Sequence, residues 1–163
     1  MSKIKIKNSN QKIADILLKI GCVNINFKKK FTLTSGKKSP VYVDCRKLIS
    51  FPKEREIVIN EMAKLIKSKY KNKVLVAGGE TAGIPYSSFI RHKLNYPMVY
   101  IRKQQNVFGK GKLIEGEFKK KSTSILIEDM ATDGGSKLHF INSLRKNSLT
   151  VKDIYVVFFY NIY

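Results

Sequence analysis

The sequence is short of the residues on which metal and disulfide chemistry depend. Its two cysteines, Cys22 and Cys45, lie far apart without metal-ligand spacing and are too few for a disulfide framework, so a reduced, cytoplasmic setting is expected. The two histidines, His92 and His139, add no metal signature. No stretch approaches the roughly 20 apolar residues that span a bilayer, and the N-terminus, MSKIKIKNSNQ, lacks the long apolar core of a signal segment. A soluble protein with no membrane partner is expected. There is no internal repeat and no Pro- or Ser-rich linker, and 163 residues with 43% apolar content suffice for one domain with its own core.

Acidic residues are also scarce: 12 against 32 basic ones, a formal net charge of +20. Such a field favours anionic partners, among them nucleic acid, a membrane surface or a phosphorylated small molecule. Only five of the 32 basic residues are Arg, however, and Lys, Ile and Asn are abundant together, which reads as a compositional bias more than a selected patch. The basic runs Lys28-Lys29-Lys30 and Lys119-Lys120-Lys121 follow no period, and no aromatic series interleaves them as in a single-strand binder. Dedicated nucleic-acid binding is therefore the lesser reading.

The apolar spacing predicts alternation of helix and strand. Ile13, Ile16, Leu17 and Ile20 share one face of a helix ending near Gly21. FTLTSGKKSPVYVDCR, from Phe31 to Arg46, reads as strand, Ser-Gly turn and strand, with Tyr42 facing opposite to Val41 and Val43. A second helix is predicted after Pro52, turning Ile57, Met62, Leu65 and Ile66 to the core. Short apolar runs at Val74–Ala77, Met98–Ile101, Ile125–Ile127 and Ile154–Tyr160 then alternate with helical stretches near Ile84–Leu94 and Gly135–Arg145. The expected fold is α/β, a doubly wound and mainly parallel sheet with its ligand site at the C-terminal strand ends. Composition marks Gln104 to Lys112 as a mobile loop.

One segment carries chemistry of its own. In SILIEDMATDGGS, Ser124 to Ser136, an apolar strand runs into Glu128 and Asp129, then into Thr132-Asp133-Gly134-Gly135-Ser136 at a helix start. Carboxylates at a strand end accept hydrogen bonds from vicinal sugar hydroxyls, and glycines before a helix let backbone amides approach a phosphate. A plain strand-to-helix turn with Asp133 as N-cap is the simpler alternative. The segment has neither the Gly-x4-Gly spacing of a Walker loop nor the Gly-x-Gly-x-x-Gly of a dinucleotide site.

Set beside three other segments, it resembles the phosphoribosyl-pyrophosphate motif of the type I phosphoribosyltransferases, and specifically the orotate phosphoribosyltransferase family. The others are FTLTSGKKSPVYVD, GGETAGIP at Gly78 to Pro85, and IRK followed by FG and IEG between Ile101 and Gly116, all in the family's order. The resemblance implies that Thr132, Asp133, Gly134, Gly135 and Ser136 hold the 5-phosphate and that Glu128 and Asp129 take the ribose hydroxyls, with Met130 and Ala131 between. It makes Gly79, Glu80, Thr81, Ala82 and Gly83 the pyrophosphate loop, binding through backbone amides. Arg102 and Lys103 would bind pyrophosphate, partly across a homodimer interface, and count with Asp129 as the catalytic groups. Thr132, Ser35, Gly36, Lys37 and Tyr42 would lie near orotate, and Mg2+ would act on substrate oxygens without direct protein ligation. Residues 1–50 would form an N-terminal hood on a single domain, and the family's C-terminal segment would be missing after Tyr163.

Taken singly, each has a plainer reading: Tyr42 as a strand aromatic, Arg102 and Lys103 as a solvated strand end, Gly78-Gly79 as a turn. The chain also departs from the family's loop, carrying Asn106 and Phe108 where most members have Lys and His, with Lys110 and Lys112 close enough to substitute. The expected activity is transfer of 5-phosphoribosyl from phosphoribosyl pyrophosphate to orotate, giving orotidine 5-phosphate in pyrimidine synthesis. The alternatives are a phosphoribosyltransferase for another base and a non-catalytic or regulatory protein that only binds phosphoribosyl pyrophosphate.

Overall fold

The computed structural model describes residues 2–33, 36–105, 111–132 and 134–160, with side chains from Ser9 onward. The first helix, α1 (Ser2–Lys19), buries Ile16, Leu17 and the following Ile20. It ends as its composition predicts: Gly21 takes φ +68°, its amide donates to the Leu18 carbonyl at 3.0 Å, and the Cys22 amide donates to the Leu17 carbonyl at 2.9 Å. This paired closure satisfies carbonyls the helix would otherwise leave open.

The flap differs from a simple hairpin. The strands β2 (Phe31–Thr32) and β3 (Lys38–Ser39) pair across the turn, while β4 (Val41–Val43) pairs instead with β1 (Val23–Ile25). Pro40 separates β3 from β4. Proline has no amide to give to a ladder, and its carbonyl accepts from Asn26 at 2.8 Å. Ser39 fixes the bend, its Oγ donating to the Val41 carbonyl at 2.7 Å and accepting from the Val41 amide at 3.1 Å. A 3-10 helix, Cys45–Ser50, follows, its first turn capped by the Asp44 carboxylate, which accepts from the Arg46 amide at 3.2 Å.

Helix α2 (Pro52–Lys69) begins with Pro52 in its first turn, as predicted. Val58, Ile59, Met62, Ala63 and Ile66 form its buried face, and the predicted core residues Ile57 and Leu65 sit at the margin. The remaining elements are β5 (Leu75–Gly79), α3 (Gly83–Leu94), β6 (Met98–Ile101), β7 (Ile114–Glu115), β8 (Thr123–Ala131), α4 (Gly135–Lys146) and β9 (Thr150–Phe159). Among the described residues, five strands form one sheet in the order β7-β6-β5-β8-β9, parallel except for β7 against β6.

Alternation along the strands separates two cores. Val76, Ile125 and Ile127 face α1, α2 and α3 with Leu17, Val58, Ile66, Tyr86 and Ile90. Leu75, Ala77 and Leu126 face α4 with Phe140, Ile141 and Leu144. Helices thus cover both faces of a mainly parallel sheet, the doubly wound architecture expected from the sequence. The connection from β5 leads to β6 on one side, while β8 lies on the other, so a crevice opens at the C-terminal ends of β5 and β8. Among the described residues no helix is long and apolar enough to cross a membrane.

Candidate active site

A cleft of about 680 Å³ lies over those strand ends. Four chain segments converge on it: the flap from Thr32 to Arg46, the β5–α3 loop at Glu80 to Ala82, Lys103 just after β6, and the end of β8 with the start of α4. Both α3 and α4 begin here, so two helix N-termini bring their partial positive charge to one crevice.

Strand β8 carries the acids to this point. It continues beyond its apolar run because β9 pairs with it through Glu128↔Val156, Met130↔Phe158 and Ala131↔Phe159. Glu128 and Asp129 are consequently buried, at 4% and 8% exposure. The Glu128 Oε1 accepts the Gly79 amide at 2.9 Å, and Oε2 lies 3.2 Å from the Lys137 Nζ. Burial pushes the Glu128 carboxyl up to about 7 against the opposing pull of Lys137 and the Gly79 amide. Burial also raises Asp129, whose Oδ1 accepts the Met130 amide at 2.8 Å.

The β5–α3 loop is built from absences of side chain. A Cβ on Gly78 would meet the Ser87 Oγ at 2.2 Å and the Gly83 carbonyl oxygen at 2.7 Å; on Gly79 it would meet Phe140 at 2.2 Å. The loop can pack this tightly against β8 and α4 only with glycine at these positions. The Glu80–Thr81 peptide is cis. Glu80 ties the loop to the end of β6: its amide donates to the Ile101 carbonyl at 2.8 Å and its Oε2 accepts the Lys103 amide at 2.7 Å.

The third wall is the flap. Arg46 donates from Nε to Asp44 Oδ1 at 2.8 Å and from Nη2 to the Tyr42 hydroxyl at 3.2 Å, so Tyr42, Asp44 and Arg46 form one polar group on the cleft wall. Tyr160, at the end of β9, accepts the Val43 amide at 3.0 Å and Tyr86 of α3 donates to the Cys45 carbonyl at 2.5 Å. These bonds hold the flap to the body of the sheet.

Of the residues singled out from sequence, Tyr42, Glu80, Thr81, Ala82, Lys103, Glu128, Asp129, Met130, Thr132, Gly134, Gly135 and Ser136 line this cleft together. Gly79 and Gly83 lie behind it, packed on Glu128. Gly36 and Lys37 are exposed and do not line it, and the Arg102 guanidinium turns to Glu115, 3.4 Å away. Ser35, Asp133, Asn106, Phe108 and Lys110 fall outside the described residues, as does the central part of the loop expected to be mobile. The start of α4 follows Gly134, which takes φ +83°. Sequence reading missed Asp44, Arg46 and Lys137 as cleft residues. Each stood inside or beside a quoted motif, and the available signal was position: Asp44 and Arg46 end the flap segment, and Lys137 follows the Gly-Gly-Ser directly.

Buried carboxylates, two helix N-termini and a glycine loop facing one cleft suit a ligand carrying both vicinal hydroxyls and phosphate groups. No protein-family model matches the chain. Curated relatives do: it is 41% identical over 152 residues to the orotate phosphoribosyltransferase of Ruegeria sp. (strain TM1040), an alignment covering 92% of this chain and 67% of the relative. Among solved structures, the orotate phosphoribosyltransferase of Aeropyrum pernix superposes with a TM-score of 0.74 at 28% identity, covering 88% of this chain and 79% of the other. The UMP synthase of Leishmania donovani gives a TM-score of 0.75 at 28% identity, covering 91% of this chain and 36% of that longer one. At 41% identity over two thirds of the Ruegeria relative's length, the chain belongs to the orotate phosphoribosyltransferase family.

Proposed function

We propose that this chain transfers the 5-phosphoribosyl group of phosphoribosyl pyrophosphate to orotate, releasing pyrophosphate and forming orotidine 5-phosphate for UMP synthesis. The observation that carries the reading is the buried Glu128–Asp129 pair set between the α4 N-terminus and the glycine loop. In this reading the turn from Thr132 to Ser136 holds the 5-phosphate, Glu128 and Asp129 accept the ribose hydroxyls, and the Gly79–Gly83 loop receives the pyrophosphate.

The bond from ribose C1 to the pyrophosphate oxygen breaks with its electrons leaving on that oxygen, and the orotate ring nitrogen bonds to C1, its proton passing to the departing pyrophosphate. Positive charge develops on the ribose ring between these events. The chain needs no nucleophile of its own; it must orient the ring, stabilise the leaving anion and exclude water. Lys103, on the cleft wall, meets the pyrophosphate side. Asp129, on the cleft wall, would turn its carboxyl oxygens to the charge developing on the ribose ring. Tyr42 and Arg46 on the flap stand at the base side, where a guanidinium suits the orotate carboxylate.

The acidic side chains of the cleft offer oxygen donors alone, a set suited to Mg2+, but no group of three His, Cys, Asp or Glu residues is gathered among the described residues. Mg2+ would be carried into the cleft by the substrate, beside Glu128 and Asp129, and would supply positive charge to the leaving pyrophosphate. A homodimer, a single domain with the segment before residue 50 acting as a hood, and a cytoplasmic setting complete the proposal. The test is a product assay with Mg2+, orotate and phosphoribosyl pyrophosphate, run beside Asp129→Ala. Orotidine 5-phosphate from the parent protein and its loss in the variant are expected; no product from the parent protein would overturn the proposal.

A further inference from the structure

Lys137 is a costly residue where it stands. It is the third residue of α4, where a cation opposes the helix dipole, and its side chain is only 12% exposed. A partly buried lysine at this position is stabilised by an anion beside it. That anion is Glu128, whose Oε2 lies 3.2 Å from Nζ, and Nζ also donates to the Ser136 Oγ at 3.1 Å.

The surroundings of Glu128 make the pairing decisive. Among the described residues, the charged groups that act on it are Lys137 from α4 and Asp129 from its own strand; β5 and α3 present it with Gly79 and Gly83, which bring no side chain. Lys137 is the cation on that short roll, and Asp129 acts in the opposite sense. With Gly79 on one oxygen and Lys137 on the other, the carboxylate is fixed in orientation, and each oxygen keeps a lone pair for a ribose hydroxyl.

We infer that Lys137 is a positioning residue for phosphoribosyl recognition: it acts through Glu128, holding that carboxylate charged and aimed so that it can accept the ribose hydroxyls. The inference rests on the phosphoribosyl reading of the cleft. Without Lys137, a buried Glu128 takes up a proton at higher pH, and a neutral carboxyl is the poorer acceptor.

The test is calorimetric binding of Mg2+–phosphoribosyl pyrophosphate between about pH 6.5 and 9. It compares the parent protein with Lys137→Met, Lys137→Arg, Glu128→Gln and the Lys137→Met/Glu128→Gln double variant. A rise of about one pK unit at Glu128 in Lys137→Met leaves about a fifth of the parent's ionised carboxylate near pH 7, so binding is expected to weaken about five-fold there, with the deficit closing as pH rises. Lys137→Arg restores binding, and the pH-dependent deficit vanishes in the Glu128→Gln background. If the Met variant does not fold, Lys137→Gln, which keeps a donor without the charge, makes the same comparison. A deficit constant across pH, or none, overturns the role of Lys137 while leaving the functional reading intact. A parent protein that binds no phosphoribosyl pyrophosphate at any pH overturns both.

Discussion

Glu128 occupies the space that a side chain on Gly83 would need: a Cβ built there would lie 2.1 Å from the Glu128 Oε1 and 2.8 Å from the Ile127 carbonyl oxygen. The second contact is with backbone, so moving the glutamate alone cannot relieve it. Gly83→Ala is expected to destabilise the fold by about 1–3 kcal/mol through overpacking and to displace Glu128. Thermal unfolding and phosphoribosyl pyrophosphate binding should both deteriorate. Gly134→Ala is the contrast in stability: among the described residues nothing beyond its chain neighbours lies within 4 Å of its Cβ, but φ is +83°. It should cost about 1 kcal/mol of backbone strain without the direct clash at Glu128.

The pH dependence of stability follows from the same carboxyl. Its value rises from 4.5 in the ordinary state to about 7 in the fold, chiefly through burial. Between those values the folded state keeps a proton that the unfolded chain has released. Stability from this group is full below pH 4.5 and is lost as pH rises through about 7. Glu128→Gln removes the titration. Denaturant unfolding at a series of pH values should show the parent losing on the order of 2–3 kcal/mol relative to the variant between about pH 4.5 and 8.

Tyr160 joins the end of β9 to the flap, accepting the amide of Val43 at 3.0 Å across 117 residues of sequence. Val43 is buried, at 1% exposure, so Tyr160→Phe strips a partner from an amide that water does not readily reach. A loss of about 1–3 kcal/mol is expected. Because the flap carries Tyr42 and Arg46, steady-state kinetics should show a larger rise in KM for orotate than for phosphoribosyl pyrophosphate.

Arg102 and Lys103 are neighbours in sequence with different surroundings: Lys103 lines the cleft, whereas the Arg102 guanidinium pairs with Glu115 outside it. If Arg102 serves the cleft of a partner subunit, Arg102→Ala and Asp129→Ala should each be nearly inactive alone and complement when mixed after dissociation. Equal mixing makes half the dimers hybrid, each with one intact site, so about a quarter of parent activity should return. Absence of recovery in hybrids whose formation is verified would place Arg102 in its own subunit's cleft.

The fold was largely legible because its signals are local. Apolar runs bounded by glycine or helix starts mark β5, β6 and β8, and Gly21 and Pro52 punctuate the helices beside them. Edges were less legible. β8 and β9 extend beyond their apolar runs because their pairing with each other carries polar residues such as Glu128 and Asp153 into the ladder. The two-residue strand Ile114–Glu115 is too short for alternation to reveal. The division of the flap at Pro40 was hidden because β4 finds its partner in Val23–Ile25, outside the segment that reads as a hairpin. In the site, glycines and acids announced themselves by order along the chain. The Lys137–Glu128 and Arg46–Tyr42 contacts did not, because they depend on where a helix turn and a flap bend deliver side chains.

The glycine loop has a consequence for how freely such a sequence can change. Five of the ten glycines, at positions 78, 79, 83, 134 and 135, stand at the two loops facing the cleft. In the proposed reading the anion-binding surface there is largely main chain, which is the same polymer whatever the codons favour. A genome that drifts toward lysine, isoleucine and asparagine can repaint most of the exterior while the anion cradle keeps its shape. What it cannot do is spend its new alphabet at Gly78, Gly79 or Gly83, where even one methyl group has nowhere to go.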